Sequence, residues 1–123
     1  MKWLLGVVLC AAAALPAAAQ RGAGGLSCGQ YVQAYDRYQL AATTRGPGAE
    51  AAIANFAQYE SWIEGYLFGV RSWDGLPTRA FDRAGLQLWV YNYCQMDPLD
   101  VVANAALAFY RSIAVSPPTA GDR

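Results

Sequence analysis

The sequence predicts a small all-α fold: four amphipathic helices in one domain, orthogonal or bundle-like, stapled by one disulfide. Three observations predict it. Apolar residues recur at three- and four-residue spacing in four separate segments. Those segments are divided by Gly46-Pro47-Gly48, Asp74-Gly75-Leu76-Pro77 and Asp97-Pro98, all strong chain breakers. Once an expected leader is set aside, one cysteine pair remains, Cys28 and Cys94.

The leader is read from residues 1–19. Lys2, an apolar run from Trp3 to Leu15, Pro16 and Ala17-Ala18-Ala19 are the parts of a secretory signal peptide. The run is shorter than the roughly 20 apolar residues a bilayer span needs. Cleavage is expected after Ala19, which places the protein in the periplasm without membrane insertion. Leu9 stands before Cys10 where a lipid-attachment motif wants a small residue, so no lipid is expected. Cleavage removes Cys10, and in an exported protein the remaining pair is expected to be a disulfide. Closing so long a loop is worth about 4 kcal/mol on chain entropy.

Residues 20–27 are glycine-rich and read as a flexible lead-in. The helical domain is expected over 28–115. Its first helix runs from Cys28 to about Thr44 on a stripe of Tyr31, Tyr35, Tyr38 and Ala42. The second runs from about Glu50 to Arg71 on Ile53, Phe56, Ile63, Leu67 and Val70, with Glu50 suited to its first turn. Thr78 is the expected cap of the third, Arg79 to Met96. "LWVYNY" within it could pass for a strand, but Phe81, Ala84 and Leu88 extend the helical period upstream. Asp97 is expected to cap the last helix, with Pro98 at its first position and Leu99, Val102, Ala106, Phe109 and Ile113 buried. Pro117-Pro118 closes the fold, and 116–123 reads as a disordered tail.

The sequence contains no histidine, which removes the usual nucleophile pairs, common zinc sites and the default base near neutral pH. The disulfide leaves no thiolate. Glu60 and Glu64 lie one turn apart on one helix, where they would not easily bracket a scissile bond. A non-enzymatic protein without metal or cofactor is expected. After cleavage eight arginines face nine carboxylates. That balance recommends neither nucleic acid nor a membrane surface.

"ESWIEGYLFG", residues 60–69, holds the candidate functional residues. At about 100° per residue Glu60 projects inside the apolar stripe. It is either a structural ion pair with an arginine such as Arg37 or Arg83, or, with Glu64, a pH-responsive pin. Gly65 and Gly69 lie off the stripe and are expected to let another helix, or the chain near Cys28, approach closely. The neighbouring glutamates argue against a membrane dimer face. Trp62 and Trp73 also fall outside the stripe and are either a partner-binding patch or satellite core packing.

An exported helical chain with Cys28 early, "WIEGYLFG" (62–69) in the middle and "YCQMDPLD" (93–100) late resembles the HdeA/HdeB-like periplasmic proteins. A similar plan occurs in the Rap/Tai immunity proteins of type VI secretion. The first resemblance implies a stress-protective chaperone that is a folded dimer at neutral pH and holds unfolded clients in acid. The second implies a protein that binds and blocks one toxin. Either way the implied partners are other proteins, with a homodimer among the arrangements the resemblance allows.

Overall fold

The computed structural model describes residues 22–116. The expected leader, Cys10 and the tail from Pro117 lie outside the described residues. Within them the chain forms a short 3-10 helix (Gly22–Gly25) and four α-helices. These are α1 (Cys28–Thr44), α2 (Ala49–Asp74), α3 (Arg83–Met96) and α4 (Val102–Ile113). The all-α, four-helix architecture is the one the periodicity predicts.

Ser27 starts α1 through a capping box. Its hydroxyl accepts from the Gln30 N–H at 3.3 Å, while the Gln30 side chain accepts from the Ser27 N–H at 3.0 Å. The chain turns through Arg45–Gly48, and α2 runs back along α1. Gly75 ends α2 in the left-handed region at φ 64°, its N–H bonded to the Arg71 carbonyl.

Thr78 does not cap α3. Residues 75–82 are not helical; Thr78 instead bridges to Ala114, with the Arg79 N–H donating to Ile113 O and the Val115 N–H to Pro77 O, both at 2.8 Å. The cap is Asp82, which accepts from the Gly85 N–H at 2.6 Å. "LWVYNY" is helix: Leu86, Val90 and Cys94, four apart, form one buried face.

The start of α4 also departs from expectation. Asp97 ends α3, and Pro98 stands outside the helix in the Asp97–Asp100 turn. The reason lies in α1, whose first N–H groups have no partner within the helix. The Cys28 N–H donates to Asp100 O at 2.7 Å and the Gly29 N–H to Pro98 O at 2.9 Å. A helix beginning at Pro98 would take those carbonyls away. Leu99, expected in the core, is instead 91 % exposed on this turn.

One core joins the four helices. Tyr31, Phe56 and Tyr59 cluster between α1 and α2, with the Tyr31 ring 5.5 Å from Phe56 and 5.4 Å, edge-on, from Tyr59. Val90, Val102, Ala105, Ala106 and Phe109 fill the other side, and Trp89 packs edge-on against Phe109. Of the expected α2 stripe, Phe56, Ile63 and Leu67 are buried and Val70 half-buried, whereas Ile53 is exposed. Cys28 and Cys94 form the expected disulfide, with Cα atoms 4.6 Å apart, tying the start of α1 to the last turn of α3.

The described part of the lead-in packs against α2. Gly24 of the 3-10 helix is buried against Trp62, and a Cβ there would lie 2.0 Å from the indole. Only glycine lets the backbone come that close.

Candidate functional site

Glu60 and Glu64 reach across from α2 to Arg83 at the start of α3. Arg83 Nε donates to Glu64 Oε1 at 3.0 Å and lies 3.9 Å from Glu60 Oε1. Gln87, one turn further on, donates through Nε2 to that same Glu60 oxygen. Of the two arginines weighed as partners for Glu60, Arg83 is the one in place. The Glu60 side chain is 18 % exposed, and Arg83 stands largely in solvent. An ion pair so wet contributes under about 1 kcal/mol. Beneath this cluster the buried Tyr31 hydroxyl donates to Gln87 O at 3.3 Å. Burial, then the charges of Tyr35 and Glu60, push its pKa well above the ordinary tyrosine value. The void among Tyr31, Glu60, Arg83 and Gln87 holds about 10 Å³, room for one water at most.

Other carboxylates join the remaining helices in the same manner. The Tyr91 hydroxyl on α3 donates to Asp36 Oδ1 on α1 at 2.9 Å. The Tyr110 hydroxyl on α4 donates to Asp74 Oδ2 at the end of α2. The Tyr93 hydroxyl donates to Asp100 Oδ2 at 2.7 Å, and Asp100 Oδ1 accepts from Asn104 Nδ2 at 2.6 Å and the Val101 N–H at 2.8 Å. Donation to a carboxylate holds each phenol proton more tightly. The hydrogen bond to Asp74 pushes Tyr110 up to about 12, and Tyr91 and Tyr93 are raised by their bonds to Asp36 and Asp100. Conversely, the Tyr93 hydroxyl, then Asn104 and the Val101 N–H, hold Asp100 below the usual carboxylate value.

Among the described residues, every hydrogen bond between side chains of two different helices therefore ends on a carboxylate. Glu60 and Glu64 were legible as candidates from their position. The aspartate–tyrosine pairs were not, because their partners stand 36 and 55 residues apart.

The glycines correct a sequence expectation. Among the described residues a Cβ at Gly65 or Gly69 would meet nothing within 4 Å, so neither another described helix nor the chain near Cys28 packs on them. They lie on the outward face of α2, about half a turn of the helix from the buried Phe56. The tryptophans divide. Trp62 is satellite packing, stacked on Tyr66 at 5.2 Å and covered by Gly22 and Gly24. Trp73 is 92 % exposed, and Phe68, which the periodicity did not single out, is 74 % exposed.

No helix among the described residues is long and apolar enough to cross a membrane. Comparison of the chain with protein-family models, curated proteins and solved structures finds no match. Fold and site together define a class: a disulfide-stapled all-α domain whose helices are tied to one another through carboxylates.

Proposed function

We propose that this chain is an exported, non-enzymatic protein-binding protein that protects periplasmic clients in acid, in the manner the HdeA-like resemblance implies. One observation carries the reading: the carboxylate endings of all the interhelical side-chain bonds among the described residues. A hydrogen bond to an ionised acceptor is about twice as strong as a neutral one. In acid a carboxylate takes up a proton and becomes a neutral, weaker acceptor, whereas arginine cannot lose its own proton. The bonds between helices weaken together while the unbalanced arginines repel one another. The disulfide keeps α1 and α3 joined as the rest loosens. What then opens is an interior rich in client-binding surface, including Tyr31, Phe56, Tyr59, Trp89 and Phe109.

The test is a client-aggregation assay at neutral pH and below a pH of about 3, where ordinary carboxylates are protonated. Protection confined to acid is expected. Absence of protection at either pH contradicts the proposal.

A second reading has its own observation. Trp73 stands exposed in the folded state, as an anchor for a preformed partner would. On this Rap/Tai-like reading the chain binds and inhibits one periplasm-acting toxin. Pull-down from periplasm separates the two: one tight partner at neutral pH favours immunity, and many acid-dependent partners favour client protection.

A further inference from the structure

We propose that the non-helical segment 75–82 presents an open strand edge to an extended peptide of a partner protein, one that carries an apolar and an acidic residue two positions apart. Pro77 O and the Arg79 N–H both turn toward the end of α4, where they bond Val115 and Ile113. Backbone groups alternate in direction along an extended chain, so the N–H and C=O of Thr78, between them, turn the other way. Neither makes a hydrogen bond among the described residues. An antiparallel neighbour exchanges both bonds with one such residue, which is how peptides add to an exposed edge.

Two hollows lie between this segment and α2. The first, about 280 Å³, is lined by Leu67 and Phe68 of α2 and by Phe81 and Leu86. The second, about 300 Å³, is lined by Phe68, Arg71, Gly75 and Leu76. Phe68 and Arg71 border both, so the hollows are adjacent and suit two side chains on one face of an extended peptide. The first is apolar, and the charges at its rim, Glu64 and Arg83, already pair with each other at 3.0 Å. At the second, Arg71 makes no ion pair among the described residues. Nearby Asp74 is engaged elsewhere: its Oδ1 accepts from the Leu76 N–H at 3.0 Å, and its Oδ2 from the Tyr110 hydroxyl. Arg71 therefore selects an acid from outside the chain. Direction follows from the order of the segment. An antiparallel strand passes Phe81 before Leu76, so its apolar residue precedes its acidic one. The inference rests on the protein-binding reading for the existence of a partner, but not on acid, because edge and hollows belong to the folded state.

The probe is a short capped peptide, threonine–leucine–threonine–glutamate–threonine, titrated into the wild-type chain at neutral pH up to about 5 mM, enough to capture weak association. Nuclear magnetic resonance should show saturable shifts at Thr78, Phe68 and Arg71, and the Thr78 amide should exchange at least about tenfold more slowly at saturation. Methylating the central threonine nitrogen removes the donor to Thr78 O and should weaken binding at least about tenfold. Methylating the leucine nitrogen, which turns away from the edge, should cost far less. Arg71→Glu and Phe68→Ala, both at exposed positions, should each bind at least about tenfold more weakly in a chain that remains folded. Absence of a saturable shift overturns the proposal. So do equal binding by the two methylated peptides and an Arg71→Glu variant that binds like wild type. A Thr78 amide already slow before peptide is added also overturns it, since a second copy or the chain beyond Ser116 then holds the edge. None of these results touches client protection in acid, which is measured without the peptide.

Discussion

Replacing Gly24 by alanine tests the contact between the lead-in and Trp62. The added Cβ would lie 2.0 Å from Trp62 Cζ2 and 2.2 Å from Cη2, where no carbon pair can rest. The indole is a rigid plate held between the 3-10 helix and Tyr66, stacked on the latter at 5.2 Å. Either it turns and gives up that stack, or the Gly22–Gly25 turn lifts off α2. Overpacking of this kind costs about 1–3 kcal/mol. At roughly 4–8 °C per kcal/mol for a small domain, the melting temperature should fall by at least about 4 °C. Thermal melting followed by tryptophan emission reads both the loss and the exposure of Trp62. In a Trp62→Ala background the added methyl meets no ring, and Gly24→Ala should then be neutral to within about 0.5 kcal/mol. A Gly24→Ala variant that melts like wild type would refute the contact. An equal cost in both backgrounds would place the effect elsewhere than the indole.

Reducing the Cys28–Cys94 bond, which closes a loop of sequence separation 66, should cost about 4 kcal/mol and lower the melting temperature by well over 10 °C; intact mass with and without reductant verifies the bond. Asp100→Asn should destabilise the fold at neutral pH. Because the folded carboxyl is held below its ordinary value, its contribution is present above the unfolded value and disappears as pH falls through the folded one. The variant should therefore converge on wild type in acid, checked by urea melts at several pH values. Tyr110 gives the opposite limb: its folded pKa is raised to about 12, so its contribution is present below the unfolded value near 10 and is lost as pH rises through the folded one. Ultraviolet titration should show several phenols ionising late, and Tyr110→Phe should reduce the amplitude of that late phase by one phenol.

The four helices were legible because their apolar periods are long and their breakers strong. Phe56, Ile63 and Leu67 fall on the buried face the spacing marks, and the disulfide joins the pair that remains when Cys10 is assigned to an expected leader. The errors share a cause: local signals were overruled by partners distant in sequence. Asp97-Pro98 has the chemistry of a helix start, but α1 takes the carbonyls of Pro98 and Asp100. Thr78 could cap a helix, but its neighbours pair with the end of α4. Gly65 and Gly69 suit close packing, and the spacing says nothing of whether the approaching surface belongs to the same chain. Glu60 stood out by its place in an apolar stripe, whereas Asp36 and Asp74 look like ordinary surface charges until the fold sets Tyr91 and Tyr110 above them.

The central claim is that carboxylates hold these helices together, so that acid opens the aromatic interior. Its most direct test is the fluorescence of a dye that binds exposed apolar surface, followed from neutral pH to about 2, low enough to protonate ordinary carboxylates. A reversible rise within the carboxylate range is predicted, moved to higher pH in an Asp36→Asn, Asp74→Asn double variant whose bonds are already neutral. A flat titration, or a double variant that opens at the wild-type pH, would contradict the account.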